Sequence, residues 1–340
     1  VMPANLNPEY KAAEAAFKRS RDPQERLDNL REMLRVIPKH KGTDHLQADL
    51  KTRIKELSAD LAGPKKSGAR TGPQTFVHPE GAAQVALLGP PNTGKSALHA
   101  RLTGSHAASE AYAFTTQYPQ PGMFDHEDVS FQLVDLPPLS PEHPIPWIAN
   151  TLQSADGCLF VVDVSRPGCV EQVLGALDLL AERKVRVSSV WPGDDGAEAD
   201  GDDDDPFTLF LPTVLVASKS DIVDHARDEL TVLEELTGLD CPVLSVSSVS
   251  GDGLPELGSF LFDHLAVVRV YTKKPGEDVD DGKPYTVRRG DTVLDVARLV
   301  HRDIAASLKY ARLFGGHGYE GQQVGRDHEV QDGDILELHS

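Results

Sequence analysis

The eight residues Gly89-Pro90-Pro91-Asn92-Thr93-Gly94-Lys95-Ser96 restrict the folds open to this chain more than any other stretch. They fit G-x-x-x-x-G-K-[ST] in full, follow the apolar run Val85–Leu88 and open a helical stretch at Ser96-Ala97-Leu98. A strand that turns through such a loop into a helix is a phosphate cradle. Glycines let the backbone wrap an anion with its N–H groups turned inward, and the helix start adds the positive end of a dipole. Gly89 through Ala97 are therefore expected to line a phosphate site. Lys95 would reach the β- and γ-phosphates, and the Ser96 hydroxyl would coordinate Mg²⁺.

The patterning around this loop predicts the architecture. Short apolar runs rich in Leu and β-branched residues, Val85–Leu88, Val129–Val134, Cys158–Val162, Thr213–Ala217 and Val243–Val246, alternate with helical stretches. That alternation indicates an α/β fold with a doubly wound, mostly parallel sheet. Before it, Leu27, Leu30, Leu34 and Ile37, then Leu46, Leu50, Ile54, Leu57 and Leu61, fall at helical spacing. They predict a helical hairpin joined by the basic turn Pro38–Gly42. After it, two strands at Arg269–Thr272 and Tyr285–Val287, a helix capped by Gly290-Asp291-Thr292, and a closing strand Asp334–Leu338 suggest a small α+β domain. The expected division is a basic helical arm and linker over 1–72, a nucleotide-binding domain over 73–267 and a tail domain over 268–340. An acidic insertion is expected over 186–212. Its aspartates lack the register of a Ca²⁺ loop, so it reads as a solvated loop.

Further motifs follow in chain order. Asp135 ends the run Val129–Val134, where a carboxylate can hold the hydration shell of Mg²⁺. Thr115 and Thr116 lie in the preceding loop, and Thr116 is the candidate Mg²⁺ ligand and catalytic partner of Lys95. Ser218-Lys219-Ser220-Asp221 resembles the N-K-x-D guanine motif. Asp221 would accept from guanine N1–H and the 2-amino group, which adenine does not offer in that arrangement. Ser218 replaces the usual Asn, a change expected to weaken the bracing between loops. Ser247-Ser248-Val249 resembles the S-A-K loop, whose backbone contacts the guanine carbonyl oxygen.

Taken together these motifs resemble the Obg-like translation-factor GTPases, most closely the developmentally regulated GTP-binding (DRG) proteins. The tail, from Arg269-Val270-Tyr271-Thr272-Lys273 through His301-Arg302-Asp303-Ile304 to Gly325-Arg326-Asp327-His328, is similar to that family's C-terminal TGS domain, a β-grasp fold. The arm, including His40-Lys41-Gly42-Thr43-Asp44-His45, is similar to its N-terminal helical region. The family's extra domain, inserted within its G domain, has no counterpart here. The resemblance implies GTP or GDP with Mg²⁺ as ligands, slow GTP hydrolysis, and a ribosome or structured RNA as partner, met through the arm and the TGS-like domain. It is read as a cytoplasmic monomer. His301-Arg302-Asp303 mimics a kinase catalytic loop but lacks the rest of that signature.

Three departures from the family pattern bear on mechanism. Its D-x-x-G becomes Asp135-Leu136-Pro137-Pro138, so the N–H that a glycine donates to the γ-phosphate is missing. Leu139 stands where many small GTPases place a water-orienting Gln. Asn92 stands where K⁺-activated GTPases place an ion-ligating asparagine, and a K⁺ ligand and an ordinary P-loop side chain remain equal readings. Two functions follow from this, a slow GTPase and a non-catalytic nucleotide-binding adaptor. An RNA-binding module with a dispensable G domain is a third.

Charge and composition narrow the partners. The chain carries a net −19, with 39% apolar residues and a mean hydropathy of −0.32. No apolar run approaches the roughly 20 residues needed to cross a bilayer, and Val1-Met2-Pro3 reads as neither signal nor lipid anchor. Three cysteines without metal spacing fit a reducing compartment. Residues 1–72 carry +5, 73–267 carry −22 and 268–340 carry −2, which argues against indiscriminate nucleic-acid binding and leaves the arm as an RNA contact. Arg288, Arg289, Arg298, Arg302, Lys309 and Arg312 form a second basic cluster, read either as an RNA face or as a solvated surface.

Overall fold

The computed structural model describes residues 7–20, 23–38, 43–61, 75–105, 117–194, 205, 207–222, 226–277, 283–315 and 321–339. Packing divides the chain into two units, one of residues 1–76 with 203–207 and one of 77–202 with 208–340.

The described residues of the first unit form three helices, α1 (Pro8–Arg19), α2 (Pro23–Val36) and α3 (Asp44–Leu61), where the apolar spacing predicted a hairpin of two. Asn7 caps α1 by accepting the Tyr10 N–H at 2.8 Å, and Pro8 occupies its first turn. Tyr10, Ala13 and Phe17 then fall on one face and pack against Leu30, Met33, Val36 and Leu50. Phe207, from the far end of the expected acidic insertion, joins the same core. Its ring meets Phe17 edge-on at 6.3 Å and lies under the Arg53 guanidinium at 4.3 Å.

The second unit contains two sheets. The larger has seven strands, in the order β2 (Gln120–His126), β3 (Val129–Asp135), β1 (Gln84–Leu88), β4 (Gly157–Val162), β6 (Leu209–Ala217) and β5 (Val185–Ser188), with β7 (Val243–Ser245) also pairing β6. Among the described strands of this sheet only the β2–β3 pair is antiparallel. The central strands are buried along their whole length, which is why they read as continuous apolar runs. Val85, Leu87, Leu159 and Val161 face α4 (Lys95–Thr103) and α8 (Leu254–His264). Ala86, Leu88, Phe160 and Val162 face α5 (Ile148–Leu152), α6 (Cys169–Glu182) and α7 (Ala226–Thr237). This is the doubly wound fold the sequence predicts. The run 186–212 is not wholly an insertion, however. It includes most of β5, the start of β6 and the fully buried Trp191. Residues 195–204 lie outside the described residues.

The smaller sheet has the order β11 (Gln322–Val324), β10 (Tyr310–Phe314), β12 (Asp334–His339), β8 (Val267–Lys273) and β9 (Tyr285–Arg288). One face packs on α9 (Val293–Val300) through Val293, Val296 and Ala297. Asp295 closes the N-terminus of α9 by accepting the Thr292 N–H at 3.0 Å. His301 ends α9 and caps α10 (Arg302–Ser307) by accepting the Asp303 N–H at 3.1 Å, so His301-Arg302-Asp303 is a helix junction. This tail is fastened to the larger sheet at the β2–β3 turn. Arg269 donates to Glu127 at 3.1 Å and Asp128 at 3.2 Å, and Tyr271 donates to Asp128.

Candidate functional site

The loop that ends β1 is shaped by close backbone approach. Gly89 sits at φ +141°, and a Cβ there would lie 2.2 Å from the Val161 carbonyl oxygen of β4. No other residue fits without moving a central strand. Gly94, at φ +89°, caps α4, and Lys95 is its first residue. Lys95 is 6% exposed and donates from Nζ to the carbonyls of Gly89 (3.1 Å) and Pro90 (2.8 Å). Burial pushes its ammonium down to about 8, against an opposing pull from Asp135. Its charge is thus held, at a cost, in the concave loop where an anion would be received. Thr93 is buried, whereas Asn92 is exposed, at φ +61°.

Ser96 and Asp135 come from different elements and meet. The serine hydroxyl donates to Asp135 Oδ2 at 2.6 Å. Asp135 ends β3 beside β1, in register with Leu87, which carries it to the mouth of the loop. A hydroxyl and a carboxylate side by side are hard oxygen donors. Mg²⁺ takes few protein ligands and keeps waters and phosphate oxygens, so this pair fits it. Thr115 and Thr116 lie outside the described residues.

Ser218, Lys219, Ser220 and Asp221, the candidate guanine motif, follow β6. Ser218 is 5% exposed and donates to the Thr93 carbonyl at 2.6 Å and to the Val162 carbonyl at 3.0 Å. A brace between the two loops is therefore made by the serine hydroxyl. Lys219 adopts φ +61° and donates from Nζ to Asp163 at 2.5 Å. Asp221 is exposed and accepts from Ser247 Oγ at 2.7 Å. Ser247, fully buried, also accepts the N–H groups of Val249 (3.2 Å) and Ser250 (3.0 Å). The Ser248 N–H has no acceptor among the described residues.

Asp163 escaped the sequence reading. It is a single acidic residue after an apolar run, and its only signal is its place at the carboxyl end of a parallel strand, where ligands of such sheets bind. It is 2% exposed and also accepts from the Ser165 N–H (3.2 Å) and hydroxyl (2.5 Å). Burial raises its carboxyl, but the hydrogen bonds from Lys219 and Ser165 outweigh that and leave it below the usual carboxylate range.

Two other stretches named from the sequence gain a structural setting. Asp135-Leu136-Pro137-Pro138-Leu139 is buried throughout, with the Leu136 N–H on the Leu87 carbonyl (3.3 Å) and the Leu139 N–H on the Gly89 carbonyl (3.1 Å). Leu139 is thus a core residue packed with Ile148 and Leu152. The basic cluster of the tail is not one face. Arg288 points inward to Asp156 at 2.9 Å, Arg289 donates to the Gly193 carbonyl at 3.2 Å, and Arg298 pairs with Asp295 at 2.7 Å.

Comparison with known proteins fits this geometry. Residues 84–190 match the family described as 50S ribosome-binding GTPase, and residues 268–340 match the TGS domain family. A GTP-binding protein of Halobacterium salinarum is 26% identical over 93% of this chain and 98% of its own length. Developmentally-regulated G-protein 3 of Arabidopsis thaliana is 23% identical over 92% of this chain and 98% of its own. Among solved structures, the YchF GTPase of Schizosaccharomyces pombe covers 78% of this chain and 99% of its own, at 13% identity and a TM-score of 0.52, a likeness of fold.

Proposed function

We propose that this chain, which belongs to the Obg-like GTPases that carry a C-terminal TGS domain, binds GTP and GDP with Mg²⁺ and hydrolyses GTP slowly on a ribosome or structured RNA. The observation that carries the reading is the 2.6 Å hydrogen bond from Ser218 to the Thr93 carbonyl. It fastens the base-reading stretch to the phosphate loop, so that Lys95 and Asp221 serve one ligand. Asp221, held by Ser247, would accept from the guanine edge, and the Ser248 N–H would donate to its carbonyl oxygen. Lys95 would leave the carbonyls of Gly89 and Pro90 for the phosphates and stabilise charge developing there. Ser96, Asp135 and Thr116 would hold Mg²⁺, which when bound neutralises charge on the β- and γ-phosphate oxygens. Asn92, exposed within the loop, is the residue we assign to K⁺. The ribosomal partner is supported by the family match and by the net +5 of residues 1–72.

A second reading is a non-catalytic nucleotide-dependent adaptor. It is favoured by the hydrogen bond from the Leu139 N–H to the Gly89 carbonyl, which ties the segment after Asp135 to the P-loop backbone, and by Pro138, which offers no N–H. Single-turnover GTP hydrolysis in KCl and in NaCl, with and without ribosomes, separates the two. Hydrolysis that rises with K⁺ or ribosomes supports the enzyme. A flat trace alongside tight nucleotide binding supports the adaptor.

A further inference from the structure

The Asp163–Lys219 ion pair has a geometry that an ordinary surface pair does not need. Asp163 is almost wholly buried, so its carboxylate has given up water and must be repaid by hydrogen bonds. Lys219 Nζ at 2.5 Å, the Ser165 N–H and the Ser165 hydroxyl supply them, and Arg166 Nε stands 3.8 Å away. The backbone brings the partners together. Val162 of β4 is in register with Ala217 of β6, and the Ser218 N–H donates to the Val162 carbonyl at 2.9 Å. Asp163 and Lys219 are the residues just past this closed register. Lys219 holds φ +61°, a left-handed conformation that bulky side chains avoid unless the surroundings hold it. Two residues further on is Asp221, the candidate base reader.

We propose that Asp163 is a positioning residue for nucleobase recognition, acting through Lys219. Its carboxylate anchors the Lys219 ammonium and holds the side chain along the face of the base whose edge Asp221 reads. The lysine's methylene stem and fixed charge then both face an aromatic ring. The role extends the guanine-nucleotide reading and rests on it. The competing account is a plain structural pair that only closes the ends of β4 and β6.

The test measures two ligands on the full chain, GDP and inorganic tripolyphosphate, which keeps the phosphates and lacks the base. Asp163→Asn is expected to weaken GDP roughly tenfold, the scale of a hydrogen bond to a charged group, and to leave tripolyphosphate within about twofold. Lys219→Met keeps the stem without the charge and is expected to behave alike. The double variant should then be no weaker for GDP than Lys219→Met, because both changes remove one interaction. Equal losses for both ligands, additive losses, or no loss of GDP binding would overturn the proposal. If Asp163→Asn does not fold, Lys219→Met with the two ligands decides alone. A wild-type chain that binds tripolyphosphate but not GDP would sink the guanine reading, and this role with it. Wild-type GDP binding with unaffected variants would sink this role only.

Discussion

The Arg288 guanidinium lies 2.9 Å from the Asp156 carboxylate, and the same carboxylate oxygen accepts the Gln84 N–H at 2.8 Å. Through this pair β9 of the tail holds the first residue of β1, while a second nitrogen of Arg288 donates to the Leu265 carbonyl at 2.6 Å after α8. Burial brings the guanidinium down to about 10, with Asp291 opposing the shift. Asp156→Asn keeps an acceptor for Gln84 but leaves the arginine charge poorly compensated. It is expected to lower stability by about 3 kcal/mol in urea unfolding. A loss under about 1 kcal/mol would mark the pair as no different from an exposed one.

Lys95 gives a pH signature. Its folded value of about 8 lies below the ordinary 10.5, so between those values the unfolded chain carries a proton that the folded chain has lost. Stability is therefore expected to rise with pH across that window, by about 3 kcal/mol at most, and to be flat below it. Anion binding that recharges the lysine takes up a proton, so above pH 8 the GDP affinity should fall by about tenfold per pH unit. Lys95→Met should abolish the rise, as read from unfolding midpoints at pH 7.5, 8.5 and 9.5. A variant whose profile matches the wild type would exclude Lys95 as the titrating group.

Pro138→Gly restores a backbone N–H next to Leu139. It is expected to cost stability by about 1 kcal/mol, because glycine has more freedom to lose on folding. In exchange the preference for GTP over GDP should rise by about tenfold, the worth of one hydrogen bond to a charged phosphate. Calorimetry with both nucleotides reads the ratio. An unchanged ratio would mean that proline is not what separates this chain from a γ-phosphate sensor.

The β1–loop–α4 segment and the buried strands were legible because their constraints are local. One apolar run, two glycines and a lysine at fixed spacing specify strand, turn and helix together. Helix α1 was missed although Asn7-Pro8 starts it properly. Its stripe of Tyr10, Ala13 and Phe17 is diluted by further alanines that carry no face of their own. Strand β5 was hidden by its length, four residues beside a run of aspartates. Asp163 and Arg288 were illegible for another reason. Each owes its environment to a partner more than fifty residues away, Lys219 and Asp156, and a charge in sequence says nothing about whether it will be buried. The basic cluster of the tail came apart on the same point.

Phe207 belongs to the core of the helical unit yet stands two residues before β6. The polypeptide therefore passes through the helical unit twice, once as its first residues and again in the crossing between β5 and β6. Strand β6 ends at Ala217, just before Ser218-Lys219, so force applied to the arm has a covalent route of about a dozen residues to the candidate guanine motif, along an extended strand with little slack.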